Sequence, residues 1–260
     1  MSEFQPDSSV VAAVTPSPNH NERQGGRAPD MILLHYTGML DAQAALDRLC
    51  SADSAVSTHY LVHLDGRIIQ CVPEARRAWH AGISKWAGES DINSSSIGIE
   101  IVNPGHDFGY PDFPSRQIAA VIALCRGIIA RRHIPADRVL AHSDVAPARK
   151  QDPGEKFPWR LLHESGVGLW VKPAAITEGP RLAPGDSGEA IGALQSRLAE
   201  FGYGIEASGV YDDATREVVT AFQRHFRPER VDGVVDESTV RTLSALLEAR
   251  ERAAAAGDRH

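Results

Sequence analysis

The sequence predicts a mixed α/β domain followed by a smaller all-helical domain. Strand-type and helix-type patterns alternate from residue 31 to about residue 170, whereas only helix-type periodicity occurs after residue 190. A Pro-containing connection with weak periodicity, at 173–180, is predicted to be a linker between the two parts. Apolar side chains make up 42% of the 260 residues, which is enough to bury a core and excludes wholesale disorder.

The first part of the α/β domain is predicted to contain a strand, a helix and a hairpin. Residues 1–27 are rich in Pro, Ser, Asn and Gly without an apolar period, which predicts an extended arm that packs loosely, if at all. Residues 31–35 are typical of a buried strand, and Asp41 is placed to cap the helix that follows it. Two apolar runs around an Asp-Gly pair predict a β-hairpin at 60–72.

The second part of this domain contains the most informative strand. Residues 96–102 alternate, so that three isoleucines face one side and Glu100 faces the other. A wide apolar stripe at 115–133 predicts the longest helix, and residues 139–142 predict another buried strand. The α/β domain is therefore predicted over residues 28–172.

Three short amphipathic helices predict a compact second domain over residues 181–247. The helices are expected at 190–201, 214–226 and 238–247. The near-copies GVYDDAT and GVVDEST introduce the second and third helices with acidic caps, and two copies are too few for a solenoid. Residues 248–260, with a run of four alanines, are predicted to be a tail that is a fraying helix or disordered.

Charge and cysteine content argue against several classes of protein. The net charge of −7 argues against nucleic acid as a partner. Cys50, Cys71 and Cys125 are far apart and odd in number, which argues against a disulfide framework and favours a reducing compartment. No apolar run is long enough to span a membrane, and no signal peptide is recognisable. We therefore expect a cytoplasmic protein, with the periplasm or cell envelope as the alternative.

Two histidines and an aspartate are the candidate metal ligands. His35 and His142 each end a predicted buried strand, and Asp152 follows in a polar loop. Two imidazoles and one carboxylate make an open zinc site, in which three protein ligands leave the fourth position for water. The spacing alone is a weak signal, because two histidines this far apart are equally compatible with structural roles.

Glu100 and Lys150 are the candidate catalytic groups. A buried glutamate costs several kcal/mol unless it is paired or used in chemistry, and in a zinc hydrolase it would accept a proton from water. The alternative is that its face of the strand is solvated. Lys150 lies two residues before Asp152, so both side chains point the same way in an extended segment. Its ammonium would stabilise an oxyanion; the alternative is an ordinary surface lysine.

Five motifs follow one another in the α/β domain. They are HYTG at 35–38, AWHAG at 78–82, SIGIEIVN at 96–103, HSDVAP at 142–147, and RK followed by DPG within 149–154. Together they closely resemble the zinc-dependent N-acetylmuramoyl-L-alanine amidases of the AmpD/AmiD type, over about residues 28–170. The resemblance implies a central mixed β-sheet flanked by helices, as in peptidoglycan-recognition proteins.

The resemblance also implies roles for five side chains. It makes three of them the ligands of one zinc ion per chain, His35, His142 and Asp152. It makes Glu100 the catalytic carboxylate and Lys150 the stabiliser of the transition state. The implied reaction is hydrolysis of the amide between N-acetylmuramic acid, or its anhydro form, and L-alanine of the peptidoglycan stem peptide, in cell-wall turnover or recycling. Two alternatives stay open, a non-catalytic peptidoglycan receptor and a zinc peptidase that cuts within the stem peptide.

Five further residues are candidate substrate contacts. Trp79 and His80 are expected either to line the groove, with the indole as a flat apolar platform, or to lie in the core. Tyr36 and Asn103 flank the metal-site motifs. Arg149 suits a bidentate contact with a peptide carboxylate, with a surface ion pair as the alternative. We assign no functional role to the other histidines weighed, which are His59, His63, His106, His133 and His163.

The second domain carries its own set of motifs. They are GDSG at 185–188, LQ at 194–195, FGY at 201–203, GVY at 209–211, FQ at 222–223 and DG at 232–233. They resemble the three-helix peptidoglycan-binding module. A wall-binding module tethered to a catalytic domain raises the effective concentration of substrate. The expected partners are therefore peptidoglycan or muropeptide fragments; the oligomeric state is not predicted.

Overall fold

Eight strands form two sheets in the computed structural model, which describes residues 4–257. The strands are β1 Ala13–Val14, β2 His20–Glu22, β3 Met31–Tyr36, β4 Tyr60–Val62, β5 Ile68–Gln70, β6 Arg76–Ala78, β7 Ser96–Ile101 and β8 Val139–Ala141. Six of them form a sheet in the order β1-β5-β4-β7-β3-β8, and β2 pairs with β6. The large sheet is mixed, because β4 and β5 are antiparallel while β7, β3 and β8 run parallel. The expected mixed central sheet is confirmed.

Eight α-helices complete the described part of the chain. They are α1 Ala42–Cys50, α2 Ile92–Ser95, α3 Ser115–Arg132, α4 His142–Val145, α5 Trp159–Glu164, α6 Glu189–Phe201, α7 Asp213–Phe226 and α8 Glu237–Gly257. Asp41 caps α1 as predicted, since its side chain accepts hydrogen bonds from the backbone of Gln43 and Ala44. Residues 173–180 contain neither helix nor strand. Within residues 4–257, no helix has the length and apolar character needed to cross a bilayer.

The two faces of the large sheet are covered by different parts of the chain. Ile97, Ile99 and Ile101 of β7 pack in one cluster with the apolar stripe of α3. On the opposite face, α1 packs at one end, and Met31 and Leu33 of β3 belong to a continuous apolar cluster that extends to the three helices of the second domain. The predicted alternation along β7 is therefore confirmed. Glu100 points to the face of the sheet opposite α3.

The prediction that the N-terminal arm packs loosely is wrong. β1 extends the large sheet by pairing with β5, and β2 pairs with β6. Arg23 is only 5% exposed, and its guanidinium donates to the carbonyl oxygens of Glu74, Asn93, Ser94 and Ser96. The ordered packing of this segment could not be predicted from the spacing of its apolar residues, because backbone pairing and one buried cation hold it in place. Residues 1–3 of the predicted arm lie outside the described residues.

The tail predicted after residue 247 is, as far as Gly257, a continuation of α8. Arg250 in this extension donates to the carbonyl of Glu200, and its guanidinium lies 5.8 Å from the centre of the Phe201 ring. The extension therefore contacts the end of α6. Of the two alternatives given for this tail, the structure favours the helix over disorder as far as Gly257, and residues 258–260 lie outside the described part of the chain.

The three cysteines are free thiols, as expected, with Cys71 and Cys125 buried and Cys50 partly buried. They belong to the apolar clusters on the two faces of the sheet. None of them is among the groups that could hold a metal ion in residues 4–257.

Replacing Arg23 with alanine tests how firmly the N-terminal segment is held. The substitution leaves buried carbonyl oxygens without their donor, so we expect the free energy of unfolding to fall by about 3 kcal/mol. Urea unfolding followed by circular dichroism measures the loss. The matched control is Arg67→Ala, because Arg67 is exposed, and it should change the free energy by less than about 0.5 kcal/mol. Equal losses in the two variants would contradict this view of the arm.

Candidate active site

Three parallel strands bring the predicted ligands to one edge of the sheet. β3 lies between β7 and β8 and runs parallel to both. His35 on β3 is in register with Glu100 on β7, and His142 directly follows the last residue of β8. Because the carboxyl ends of parallel strands meet at the same edge of a sheet, residues more than a hundred positions apart become neighbours here.

The donor atoms of His35, His142 and Asp152 converge. Nδ1 of His35 lies 2.9 Å from Nδ1 of His142 and 3.2 Å from Oδ2 of Asp152, and the distance between Nδ1 of His142 and Oδ2 of Asp152 is 2.9 Å. A tetrahedral zinc site with bonds of about 2.0–2.1 Å has edges of roughly 3.3 Å between ligand atoms. All three side chains are buried. The donor set could bind a metal ion, and its chemistry and spacing fit zinc.

The protonation of His35 and Asp152 also suits metal binding. Burial and the neighbouring His142 lower the pKa of His35 to about 4, so its imidazole is neutral near pH 7. Burial alone would raise the pKa of Asp152, but its contacts with the two histidines outweigh burial and hold that pKa far below its usual range. Metal ligands must be unprotonated, and these groups meet that requirement.

The second nitrogen of each histidine ring has its own partner. Nε2 of His142 lies 3.0 Å from the carbonyl oxygen of Ala81, to which it donates when Nδ1 carries the lone pair. Nε2 of His35 lies 3.1 Å from Nδ1 of His80. Such contacts orient an imidazole and direct the Nδ1 lone pair at a metal.

His80 lies behind His35 as well as in the wall of the cleft. Its Nε2 is 3.4 Å from the hydroxyl of Ser96, and its ring packs directly on β7. A Cβ at Gly98 would lie only 2.5 Å from the ring, so β7 needs glycine at that position. The sequence assigned His80 to substrate; its contacts are those of a residue that orients His35.

Glu100 and Lys150 lie in the same cleft as the three ligands. The cleft has a volume of about 420 Å³ and is lined by all the predicted site residues except Asn103. Burial raises the pKa of Glu100 well above its usual range, the Asp152 carboxylate raises it further, and Lys150 opposes both effects. Oε2 of Glu100 is buried and has no hydrogen-bond partner among the described residues. A buried oxygen without a partner is costly, which is characteristic of a group kept for chemistry.

The remaining predicted substrate contacts differ in their positions. The structure does not bring Asn103 to the cleft, because its side chain is held by Gly105 and by the carbonyl of Pro111. Trp79 is half-buried in the cleft wall, where its indole nitrogen donates to Asn21. Trp79 is therefore a wall residue rather than a core residue.

Arg149 is less free than the sequence suggested. Its Nε and Nη2 donate to the carbonyl oxygens of Ile83 and Ala81, at 3.0 and 2.9 Å. Only Nη1 is left for a ligand, whereas a bidentate contact with a carboxylate needs two donors on one edge of the guanidinium. The expected bidentate contact would require Arg149 to give up a backbone partner.

Two of the histidines assigned no function show contrasting environments. His59 is fully buried and accepts a hydrogen bond from the backbone of Gly98, which is a structural role. His106 lies at the edge of the site, where Nδ1 is 3.0 Å from the hydroxyl of Tyr36 and Nε2 is 3.1 Å from Glu155. Tyr36 is therefore positioned by a contact that the sequence did not predict.

Arg48 is a residue of the cleft that sequence reasoning missed. It lies on α1, lines the cleft, and is exposed. Its side chain makes no hydrogen bond or ion pair with the rest of residues 4–257. The sequence pattern predicts an ordinary arginine on the solvated face of an amphipathic helix. Only the tertiary structure shows that this face lines the cleft.

Comparison with known proteins gives two domain families. Residues 25–155 match the family described as N-acetylmuramoyl-L-alanine amidase, and residues 187–243 match a peptidoglycan-binding domain family. The first range contains the five motifs of the α/β part, and the second contains most of the motifs of the helical part.

Similar whole proteins agree with these matches. N-acetylmuramoyl-L-alanine amidase AmiD of Escherichia coli is 39% identical over 235 residues, which cover 84% of this chain and 82% of that protein. The structure of AmiD with anhydro-N-acetylmuramic acid-L-Ala-D-γ-Glu-L-Lys has a TM-score of 0.73 at 35% identity, covering 88% of this chain and 97% of that one. AmpDh3 of Pseudomonas aeruginosa, in complex with an anhydromuramic pentapeptide, has a TM-score of 0.71 at 33% identity, covering 86% and 92%.

The family match covers half of the chain, and AmiD aligns with 84% of it at 39% identity. The expected sheet flanked by helices, with a helical domain after it, is the fold these proteins share. The chain belongs to the N-acetylmuramoyl-L-alanine amidase family.

Proposed function

We propose that the chain hydrolyses the amide between N-acetylmuramic acid, or its anhydro form, and L-alanine of the stem peptide, with one zinc ion held by His35, His142 and Asp152. The observation that carries the proposal is the convergence of these donors, at 2.9–3.2 Å from one another, in the cleft that also contains an unpartnered oxygen of Glu100. Membership of the amidase family supports the choice of bond. A receptor would not need Glu100 buried at this cost.

The residues of the cleft have different roles in the proposed reaction. When bound, zinc supplies Lewis acidity toward the scissile carbonyl and the attacking water. Glu100 accepts the proton of that water and returns it to the leaving amine of L-alanine. The Lys150 ammonium stabilises the negative charge that develops on the carbonyl oxygen.

The walls of the cleft suit the two ends of the substrate. The half-buried indole of Trp79 offers an apolar face to a sugar or peptide. Arg48 offers a guanidinium that has no hydrogen-bond or ion-pair partner within residues 4–257, which fits a carboxylate. A γ-linked glutamate in a stem peptide keeps its α-carboxylate free, and Arg48 is better placed to bind it than Arg149, whose donors are used.

The second domain favours polymeric peptidoglycan as a substrate alongside soluble muropeptides. A domain that binds the wall raises the local concentration of scissile bonds, and its match to a peptidoglycan-binding family supports this use. The cytoplasmic location stays a prediction, with the cell envelope as its alternative.

Glu100→Gln tests the catalytic carboxylate, because the amide keeps the shape of the side chain but accepts no proton. We expect kcat to fall by a factor of about 10²–10⁴, with zinc content and muropeptide affinity retained. Mass spectrometry of the products measures the rate and identifies the bond: an intact peptide beginning with L-alanine indicates the amidase, and shorter peptides indicate a peptidase. The control is Glu164→Gln, at an exposed position on α5. Full turnover by Glu100→Gln would exclude its proposed role.

Metal removal tests the donor set. Dialysis against a chelator should abolish hydrolysis, and one equivalent of Zn²⁺ should restore it, because all three ligands come from one chain. Asp152→Ala should reduce the zinc content to well below one per chain, as measured by atomic emission. The matched control is Asp107→Ala, since Asp107 lines the same cleft but is not one of the three donors. Equal zinc contents for the two variants would contradict the proposed ligands.

Arg48→Ala tests recognition of the stem peptide. Loss of one charge-assisted contact of about 1.4 kcal/mol corresponds to a roughly tenfold rise in KM, with kcat little changed. A substrate in which the γ-linked glutamate carries an amide instead of the free carboxylate should be insensitive to the substitution. Arg126→Ala is the control, because Arg126 is an exposed arginine on α3, on the other side of the sheet. A KM unchanged on the carboxylate substrate would remove Arg48 from the binding site.

A further inference from the structure

A buried carboxylate connects the two domains next to the proposed metal site. Asp144 lies on α4, two residues after His142, and is fully buried. Its Oδ2 accepts a hydrogen bond of 2.8 Å from the backbone of Ala141. Its other partners come from the second domain: the hydroxyl of Tyr203 donates to Oδ1 at 2.8 Å, and Nδ1 of His225 lies 2.7 Å from Oδ2. Asp144 therefore depends on the second domain for two of its three contacts.

The surroundings of this carboxylate are closely packed. Tyr203 and His225 are 3% and 2% exposed, so water does not replace them as partners. The His225 ring stacks on Trp159 of the amidase domain, with 3.7 Å between ring centres. The Tyr203 ring meets Trp86 edge-to-face at 5.0 Å. The second domain is thus docked on the amidase domain through buried hydrogen bonds and aromatic contacts.

Helix α7, which carries His225, also contacts the other end of the segment that runs from His142 to Asp152. Arg224 of α7 lies 3.4 Å from the side-chain oxygen of Gln151, the residue before Asp152, and 3.7 Å from Glu155. The backbone of Ser143 also donates to the carbonyl of Asp152, at 3.0 Å. The segment that carries two of the three proposed ligands is therefore contacted by α7 at both ends.

We infer that Tyr203 and His225 are positioning residues for the metal site: they fix α4 through Asp144, and thereby fix His142. The inference rests on the proposed zinc ligands. A buried carboxylate that loses a partner must find another or move, and α4 is a single turn that His142 itself begins. Partners that orient metal ligands affect metal affinity by about 10–100-fold. The second domain then completes the active site in addition to binding the wall.

Tyr203→Phe tests this inference in the full-length protein, because it removes one hydroxyl and keeps the ring against Trp86. We expect the zinc dissociation constant, measured by competition with a chromophoric chelator, to rise about tenfold. The matched control is Tyr211→Phe: Tyr211 is equally buried, but its hydroxyl donates to Gly233 within the second domain. That variant should keep the zinc affinity of the unmodified protein, even if its melting temperature falls as far.

His225→Phe provides a second variant, since it keeps the stacked ring and removes the donor to Asp144. It should weaken zinc binding as Tyr203→Phe does, and His225→Asn, whose amide can donate near the position of Nδ1, should restore part of the affinity. Zinc affinities equal to that of Tyr211→Phe in both Phe variants would overturn the inference. Failure of the unmodified protein to bind zinc would instead overturn the proposed function, so the two failures are distinguishable.

Discussion

The parallel pairing of β3 with β7 and β8 is the constraint on which the active site depends. It places His35 in register with Glu100 and starts α4 at His142, so three chemical groups from distant segments meet without any of them leaving regular structure. Strand ends are rigid mounting points, and a metal site tolerates little displacement of its ligands. Asp152 alone comes from a loop, and the hydrogen bond between Ser143 and its carbonyl ties that loop back to α4.

The parts of this arrangement that depend on local sequence could be predicted. The alternation around Glu100 and the apolar runs that end at His35 and His142 follow from side-chain periodicity. The family motifs then supplied the joint roles that periodicity could not. What could not be predicted depends on contacts between distant residues: Arg48 is an unremarkable helix residue until α1 is placed beside the cleft, and Asn103 looks available until its amide is used to hold its own loop.

Buried polar groups connect segments for which the pattern of apolar residues predicts no contact. Arg23 ties the N-terminal segment to α2 and to the first residue of β7, and Asp144 ties the amidase domain to α7. Neither contact leaves a periodic signal, because each is made by one side chain with partners far away in the sequence. Both are costly to break, since a buried polar group that loses its partners is far less stable than the same group in water. They fix the geometry of the segments more strictly than apolar contact alone would.

Under the proposed function, the docking of the second domain affects how a polymeric substrate reaches the cleft. A flexible tether raises the effective concentration of substrate over many orientations. Here the buried contacts of Tyr203 and His225 fix one orientation of the two domains. Under the proposed function, a glycan strand bound by the second domain would approach the cleft at a defined angle, while a soluble muropeptide would enter without that requirement. Under the proposed function, the interface would therefore provide a geometric means of distinguishing polymer from fragment, in addition to the affinity of either domain.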